Sequence, residues 1–275
     1  FFSLLAHVPA PELLAHRVLW GAAFVLAWCL ATGRAAGLLE ALSERAARGR
    51  LALTAGLITL NWFVYLLAIQ SGRVTEAGLG YYLMPLVSVG LGVLVLGERL
   101  SPRQWLAVGL AGGAVAVLAA GQGAAPVIPL VLAASFALYG LLRKRLWVGP
   151  VTGFAAEAVM LAPLAAGFLA LVHAGLAPGA AALGASAADT ALLLLAGPVT
   201  GLPLILFAAS ARHLTYATTG LVTYLNPTLQ VASAVLVLGE TLTPAHATAL
   251  GLIWAGLALY TLELRRAGRA ARAAA

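Results

Sequence analysis

The sequence contains very little charge, and this scarcity excludes water-soluble domains. Only 9% of the 275 residues are Asp, Glu, Lys or Arg, whereas 62% are hydrophobic. A soluble domain usually carries about 25% charged residues, so this chain could not cover a water-exposed surface with polar groups. Its apolar runs last roughly 17 to 25 residues, enough for a helix to cross ~30 Å of hydrocarbon. We therefore predict an all-α polytopic membrane protein.

Residues for soluble-type chemistry are also scarce. Cys29 is the only cysteine and Asp189 the only aspartate. An internal disulfide, a metal site built on thiolates and an aspartate-rich diphosphate motif are thereby excluded. The sequence contains no HExxH, phosphate-binding P-loop or G-x-S-x-G motif. We therefore expect a protein that is not an enzyme and that uses no cofactor or metal.

The apolar runs and the breaks between them predict nine complete membrane spans. Residues 1–7, FFSLLAH, have the composition of the last turns of one further helix, and the chain has no initiator methionine. We therefore expect a chain that is truncated at its N-terminus. The complete spans are predicted over residues 12–32, 51–71, 75–96, 102–120, 128–146, 151–174, 188–211, 215–238 and 245–264.

The basic residues predict the orientation of these spans. If the C-terminus is cytoplasmic, fourteen of the sixteen Lys and Arg residues fall in cytoplasmic loops or in the tail over 265–275. The positive-inside rule favours this orientation. The positive net charge therefore indicates topology, and we expect membrane lipid rather than nucleic acid as the partner. The loop over 33–50 is expected to lie along the interface as an amphipathic helix.

The sequence contains an internal repeat with an offset of 142 residues. Residues 78–110 align without gaps on 220–252, and about half of the aligned positions are identical. Both copies contain Y-L-x-P followed twelve residues later by G-E-x-L-x-P, a match that compositional bias does not produce. The repeat predicts two halves, 1–120 and 128–264, of five helices each. Because five is odd, the second half is inverted, which gives the ten-helix (5+5) architecture of secondary transporters, here with most of its first helix missing.

Two equivalent prolines point to a binding site near the membrane centre. Pro85 and Pro227 occupy the same position in the two copies, and each removes a backbone donor and kinks its helix. Paired interruptions of this kind are typical of midplane substrate sites. The alternative is that the prolines serve packing and that nearby tyrosines fill gaps. The predicted substrate-binding residues are Asn61, Trp62, Tyr81, Tyr82, Tyr139, Tyr224 and Asn226.

Two charged residues lie away from the ends of the predicted spans: Arg17, which follows His16, and Glu157. A charge at mid-bilayer costs at least ~3 kcal/mol, so each is a candidate for a gate or for coupling. Counting from the helix ends places Arg17 near the outer side and Glu157 near the cytoplasmic side, more than ~10 Å apart in depth. His16 and Glu157 are the groups that we expect to carry a coupled proton.

The partners expected for these charges differ between the two sides. Arg17 is expected to pair with an outer acid, Glu240 or Glu76, to hold an anionic group of the substrate, or to snorkel to the interface. Glu157 is expected to reach the basic cluster over 143–145. The Gly97-Glu98 and Gly239-Glu240 pairs favour a capping role at the start of the next helix, with gating as the alternative.

Several segments resemble the RarD branch of the EamA-type transporters, in the drug/metabolite transporter superfamily. The resemblance runs nearly from end to end. It implies a bacterial inner-membrane carrier with ten helices and two EamA repeats, and a branch associated with chloramphenicol sensitivity. One difference is Met84, where this branch usually has asparagine; here asparagine follows instead in the second copy, at 226. The matching segments are HRVLW, NWFVYLLAI, TEAGLGYYLMPLVSVGLGVLVLGERL, QWLAV and SFALYGLLRK.

Repeat, kinked spans and resemblance together predict a secondary transporter. We expect it to export a small metabolite or drug-like molecule across the bacterial inner membrane by alternating access. The alternatives are a membrane binding or scaffolding protein that transports nothing, and a channel-like facilitator.

Overall fold

The computed structural model describes residues 1–120, 126–238 and 242–273, and in this part of the chain all regular secondary structure is helical. The prediction of an all-α protein is therefore confirmed. A short 3₁₀ turn covers Phe2–Leu5. The α-helices are α1 Ala10–Ala31, α2 Ala35–Ser43, α3 Arg45–Gln70, α4 Val74–Leu96, α5 Pro102–Ala119, α6 Val127–Arg145, α7 Pro150–His173, α8 Ala187–His213, α9 Tyr216–Val222, α10 Leu225–Leu238 and α11 Pro244–Ala273.

Most of these helices have the length and composition of membrane spans. Among the described residues, seven helices are long and apolar enough to cross a membrane: α1, α3, α4, α6, α7, α8 and, over Pro244–Arg266, α11. Each predicted span overlaps an observed helix or pair of helices. The agreement follows from the bilayer, which leaves an isolated apolar segment of this length no other way to satisfy its backbone groups.

The span predicted over 215–238 is divided into α9 and α10. Pro85 lies inside the continuous α4, whereas its counterpart Pro227 lies in the first turn of α10, where proline is tolerated. At the break, the Thr223 hydroxyl and backbone N–H both donate to the carbonyl of Gly220, at 2.5 and 3.0 Å. Such side-chain bonds compete with helix continuation. The predicted kink at Pro227 is therefore a break, and the first copy has Tyr81 in place of Thr223.

The described chain forms two compact units. Unit 1 comprises Phe1–Arg73 and Leu142–His213, and unit 2 comprises Val74–Leu141 and Leu214–Ala275. Each unit thus contains segments from both predicted halves of the sequence. The two repeats over 1–120 and 128–264 are consecutive in the sequence and do not coincide with the two units. The division into these repeats stays a prediction.

In unit 1, α1 and α8 cross with their backbones in contact. A Cβ atom added to Gly197 of α8 would lie 2.3 Å from the carbonyl carbon of Trp20 and 2.4 Å from the backbone nitrogen of Gly21. No side chain fits at this distance, so glycine at position 197 permits the crossing. Small residues at close crossings are the usual means by which helices associate in membranes.

In unit 2, Glu98 caps a helix that lies far away in the sequence. Its carboxylate accepts the backbone N–H groups of Tyr216, at 2.5 Å, and Ala217, at 2.9 Å, in the first turn of α9. The prediction that Glu98 caps a helix is thus confirmed, but the capped helix is α9 and not α5, the next helix in the chain. The next helix, α5, has its own capping box, in which Ser101 and Gln104 satisfy each other's backbone groups.

We expect Gly197→Ala to destabilise the protein because the added methyl group must push two backbones apart. Overpacking of this kind costs typically about 1–3 kcal/mol. The measurement is the thermal melting midpoint of the purified protein in detergent. The matched control is Gly167→Ala, since a Cβ at Gly167 meets nothing within 4 Å. Equal melting of the two variants would contradict the close crossing.

We expect Glu98→Ala to lower the free energy of unfolding by about 1–3 kcal/mol, because two helix-terminal N–H groups lose their acceptor. Glu98→Gln keeps one acceptor oxygen and should lose less. As a control, Glu263→Ala removes an ion pair with Arg103 that lies at the surface, where such pairs contribute little. Equal stability of the Glu98→Ala and Glu263→Ala variants would show that the cap is unimportant.

Candidate functional site

Arg17 is buried inside unit 1. Its residue is 6% exposed, and its guanidinium lies between two aromatic rings, 4.4 Å from the centroid of Phe2 and 4.6 Å from that of Trp62. Its Nε donates a hydrogen bond to the hydroxyl of Thr200 at 3.2 Å. The snorkelling interpretation is therefore wrong. Aromatic faces attract a cation. The two rings and the Thr200 hydroxyl therefore stabilise the guanidinium inside the protein, and it does not extend to the membrane–water interface.

Glu157 is buried in the same unit, with 2% of the residue exposed. Its Oε1 accepts a hydrogen bond from the hydroxyl of Thr54 at 2.7 Å and lies 3.6 Å from Nε of Arg143. The expectation that Glu157 reaches the basic cluster over 143–145 is therefore confirmed. Removal of either partner of such a buried pair strongly destabilises the folded protein, because it leaves an uncompensated charge in the interior.

The position of Arg143 depends on the turn between α6 and α7. Its Nη2 donates to the carbonyls of Gly149, at 3.3 Å, and Pro150, at 3.1 Å. A Cβ atom at Gly153 would lie 1.8 Å from Nη1 of Arg143. Glycine at position 153 therefore provides the space in which the guanidinium reaches Glu157.

Arg17 and Glu157 line one small cavity of unit 1. Its volume is about 10 Å³, close to the space that a single water molecule requires, and Trp62 also contributes to its wall. The separation of more than ~10 Å in depth concerns positions along the membrane normal and stays a prediction. Spans tilt by ~20° on average and cross one another, so residue counting does not preserve depth.

His16 precedes Arg17 and is fully buried. Its Nδ1 accepts a hydrogen bond from Nε1 of Trp20, one turn along α1, at 3.2 Å. The proton of a neutral ring is then on Nε2, which is buried and has no hydrogen-bond partner among the described residues. His16 thus has a buried N–H donor to which a ligand acceptor can bind, whereas a proton would bind at Nδ1 and displace the hydrogen bond from Trp20.

Sequence reasoning missed the role of Glu12, which is fully buried one turn before His16. Its carboxylate accepts the backbone N–H groups of Ala180, at 2.5 Å, and Ala182, at 2.8 Å. Between them Ala181 has a φ of 48°, rare for a residue other than glycine. This backbone forms an anion-binding concavity. The only sequence signal was an acid in the first turn of α1, which also marks ordinary helix starts.

Two tyrosine hydroxyls of unit 2 have no hydrogen-bond partner among the described residues. Tyr82, in α4, is 4% exposed, and Tyr224, between α9 and α10, is 1% exposed. They occupy equivalent positions in the repeat and belong to one core cluster. An unsatisfied buried hydroxyl costs about 1–3 kcal/mol. Packing alone therefore does not explain tyrosine rather than phenylalanine at both positions.

The other predicted substrate residues have varied surroundings. In unit 1, Asn61 is buried in α3, and its neighbour Trp62 rather than Asn61 lines the cavity described above. In unit 2, Tyr139 is buried, Tyr81 is half-buried, and Asn226 is exposed. The Oδ1 of Asn226 accepts a hydrogen bond from Gln230 at 3.3 Å.

The gate candidate Glu240 lies outside the described residues, as does Gly239. Within residues 1–120, 126–238 and 242–273, no group of three or more His, Cys, Asp or Glu side chains is placed to hold a metal ion.

Comparison with known proteins gives relatives along nearly the whole chain. Residues 2–120 match the EamA-like transporter family. A protein named RarD from Streptomyces exfoliatus is 41% identical over 99% of this chain and 86% of the relative. An uncharacterized transporter of Pseudomonas aeruginosa is 39% identical over 98% of this chain and 90% of the relative. Protein RarD of Escherichia coli is 37% identical over 96% of this chain and 88% of the relative.

A solved crystal structure of a protein has the same fold. It covers 96% of this chain, and this chain covers 94% of it, with a TM-score of 0.72. The sequence identity is 24%, so this likeness concerns the fold alone, and it confirms the predicted fold class. The matched family, the relatives named RarD and the seven membrane-length helices agree with one another. This chain therefore belongs to the EamA-like transporter family as a RarD-type, multi-pass bacterial membrane protein.

Proposed function

We propose that this protein is a secondary transporter that exports a small metabolite or drug-like molecule across the bacterial inner membrane by alternating access. Its C-terminus lies in the cytoplasm, and it catalyses no covalent chemistry. One observation carries the proposal beyond the family. Tyr82 and Tyr224, at equivalent positions of the repeat, keep buried hydroxyls that no described residue satisfies. A hydroxyl that costs stability and is present in both copies is explained by a ligand that binds it.

The proposed substrate contacts provide aromatic faces for the body of the substrate and hydroxyl or amide groups for its orientation. Trp62 already places its ring against a cation, that of Arg17. The buried Arg17 is also the group that would hold an anionic part of the substrate. The remaining proposed contacts are Asn61 in unit 1, and Tyr81, Tyr139 and Asn226 in unit 2.

Proton coupling is proposed through His16 or Glu157. Both are buried within unit 1. Glu157 lies beside Arg143, and the one unprotonated nitrogen of a neutral His16 ring, Nδ1, accepts the N–H of Trp20. The two candidates lie on α1 and α7, which pack against each other, so titration of either group would act on the same helix pair.

The first test is counterflow of labelled candidate metabolites in proteoliposomes, with Tyr82→Phe and Tyr224→Phe as variants. Each variant removes only a hydroxyl that lacks a partner, so we expect unchanged insertion and no loss of thermal stability. Loss of a substrate hydrogen bond should raise KM about three- to tenfold. The matched control is Tyr260→Phe, whose hydroxyl bonds Thr218 at 3.2 Å. This control should lower the melting midpoint and leave KM unchanged.

The same experiment separates the alternatives. A channel-like facilitator equilibrates its substrate without counterflow, and a scaffolding protein moves nothing. Parental KM in both phenylalanine variants would show that the tyrosines are packing residues and would remove the main support for the proposed site.

Coupling is tested in vesicles held at a fixed membrane potential. We expect the transport rate of the parent to depend on pH, because the coupled group must gain and lose a proton in each cycle. His16→Gln or Glu157→Gln, whichever replaces the coupled group, should make the rate independent of pH. A parent rate that is already independent of pH would contradict proton coupling and leave transport itself intact.

A further inference from the structure

Unit 2 contains a close helix contact that only one of two equivalent glycines makes. Gly220 of α9 lies against α4, because a Cβ atom added to it would lie 2.7 Å from Cβ of Ser88 and 3.1 Å from the carbonyl oxygen of Pro85. The internal repeat pairs Gly220 with Gly78, near the other end of α4. Among the described residues, a Cβ atom added to Gly78 meets nothing within 4 Å. The repeated glycine is thus in contact in one copy and out of contact in the other.

The residues around the two glycines differ in the same way. Met84 and Ser88, in α4, are 4% and 3% exposed. Their equivalents in α10, Asn226 and Gln230, are both exposed, and Nε2 of Gln230 donates to Oδ1 of Asn226 at 3.3 Å. Exposed amides at membrane depth face water rather than lipid, because hydrocarbon leaves their remaining hydrogen-bonding groups unsatisfied. The face of α10 that carries these amides therefore borders a water-filled space.

The contact that is missing at Gly78 is chemically available. The atoms that would contact a Cβ at Gly220 are another Cβ and a backbone carbonyl, and the second copy has both, on Gln230 and Pro227. Residue types therefore do not prevent the same contact at Gly78. Glycine also weakens a helix interior relative to alanine. A contact that forms in a second conformation gives Gly78 a role that the present conformation does not.

We infer that the present conformation is one of two, and that Gly78 and Gln230 meet in the other. In the present conformation, α4 packs on α9 at the end that we place in the cytoplasm, and Asn226 and Gln230 are accessible at the outer end. In the second conformation, the outer contact has the geometry that Gly220 and Ser88 now have, and the cytoplasmic contact is separated. Gly78 is thus a positioning residue that permits the outer end to close. This inference rests on the proposed transport function and names the helix contact that alternates.

The test measures how often the cytoplasmic contact opens, with Ser88→Cys as the reporter in the full chain in lipid nanodiscs. Cys29→Ala makes the reporter the only thiol in the chain, and serine and cysteine have nearly the same shape. The reagent is a charged maleimide that does not enter lipid. Because position 88 is 3% exposed, we expect slow labelling at a rate that follows the population of the second conformation.

Gly78→Ala should slow this labelling about fivefold or more, because its methyl group overpacks the outer contact of the second conformation and meets nothing in the present one. The matched control is Gly90→Ala in the same helix, where an added Cβ also meets nothing within 4 Å. Its equivalent is Ala232, so a methyl group at this position is compatible with both conformations. Gly90 is nearer to the reporter in the sequence, so a merely local disturbance would be larger in the control.

Gly220→Ala overpacks the contact of the present conformation and should raise the labelling rate about fivefold or more. Equal labelling rates in Gly78→Ala and Gly90→Ala would overturn the inference, whether or not Gly220→Ala folds. A melting midpoint of Gly78→Ala below that of Gly90→Ala would also overturn it, since Gly78 would then already be in contact in the present conformation.

Counterflow of labelled candidate metabolites, measured on the same variants, separates the inference from the proposed function. The expected labelling rates in a protein that performs no counterflow would support the two conformations and refute transport. Parental counterflow in Gly78→Ala would refute the outer contact and leave the transport function standing.

Discussion

Inside a hydrocarbon layer, a polar group that finds no partner within the protein stays unsatisfied, and this constraint determines which contacts hold the molecule together. Two carboxylates show its effect. Glu12 accepts two backbone N–H groups of the turn over 180–182, and Glu98 accepts two from the first turn of α9. Each satisfies donors that lipid could not, and each ties together segments more than a hundred residues apart in the sequence. The buried Arg143–Glu157 pair is supported in a similar way, because Thr54 donates to Glu157 and two carbonyls of the α6–α7 turn accept from Arg143.

Because most buried polar groups are satisfied, the few that are not require an explanation. In the described part of the chain, the hydroxyls of Tyr82 and Tyr224, the hydroxyl of Thr59 and Nε2 of His16 are buried without a hydrogen-bond partner. An apolar residue of similar shape would cost less stability at each of these positions. The tyrosines belong to unit 2, and Thr59 and His16 to unit 1, so each unit contains donors that an acceptor on a small molecule can satisfy. A transporter needs such groups, because its substrate must find a partner where lipid provides none.

The spans were predicted to within a few residues because the bilayer demands apolar helices of about twenty residues, and hydropathy alone identifies these. The contact of Glu157 with the basic cluster was also predictable, since both lie near the same helix ends. The aromatic surroundings of Arg17, the helix that Glu98 caps and the backbone contacts of Glu12 were not. Each joins segments distant in sequence, so it depends on how helices cross, which no local pattern specifies. The break before α10 lies at Thr223, whose hydroxyl donates to the carbonyl of Gly220, and no local pattern distinguished it from the continuous helix around Pro85.

The most direct measurement is fluorine NMR of the transporter with 3-fluorotyrosine at its seven tyrosine positions, before and after addition of a substrate identified by counterflow. If the hydroxyls of Tyr82 and Tyr224 are kept for substrate, both resonances should shift on saturation with the substrate. The resonance of Tyr260, whose hydroxyl already bonds Thr218, should stay in place. Unchanged resonances of Tyr82 and Tyr224 in a preparation that performs counterflow would contradict the central claim that these unsatisfied groups bind the transported molecule.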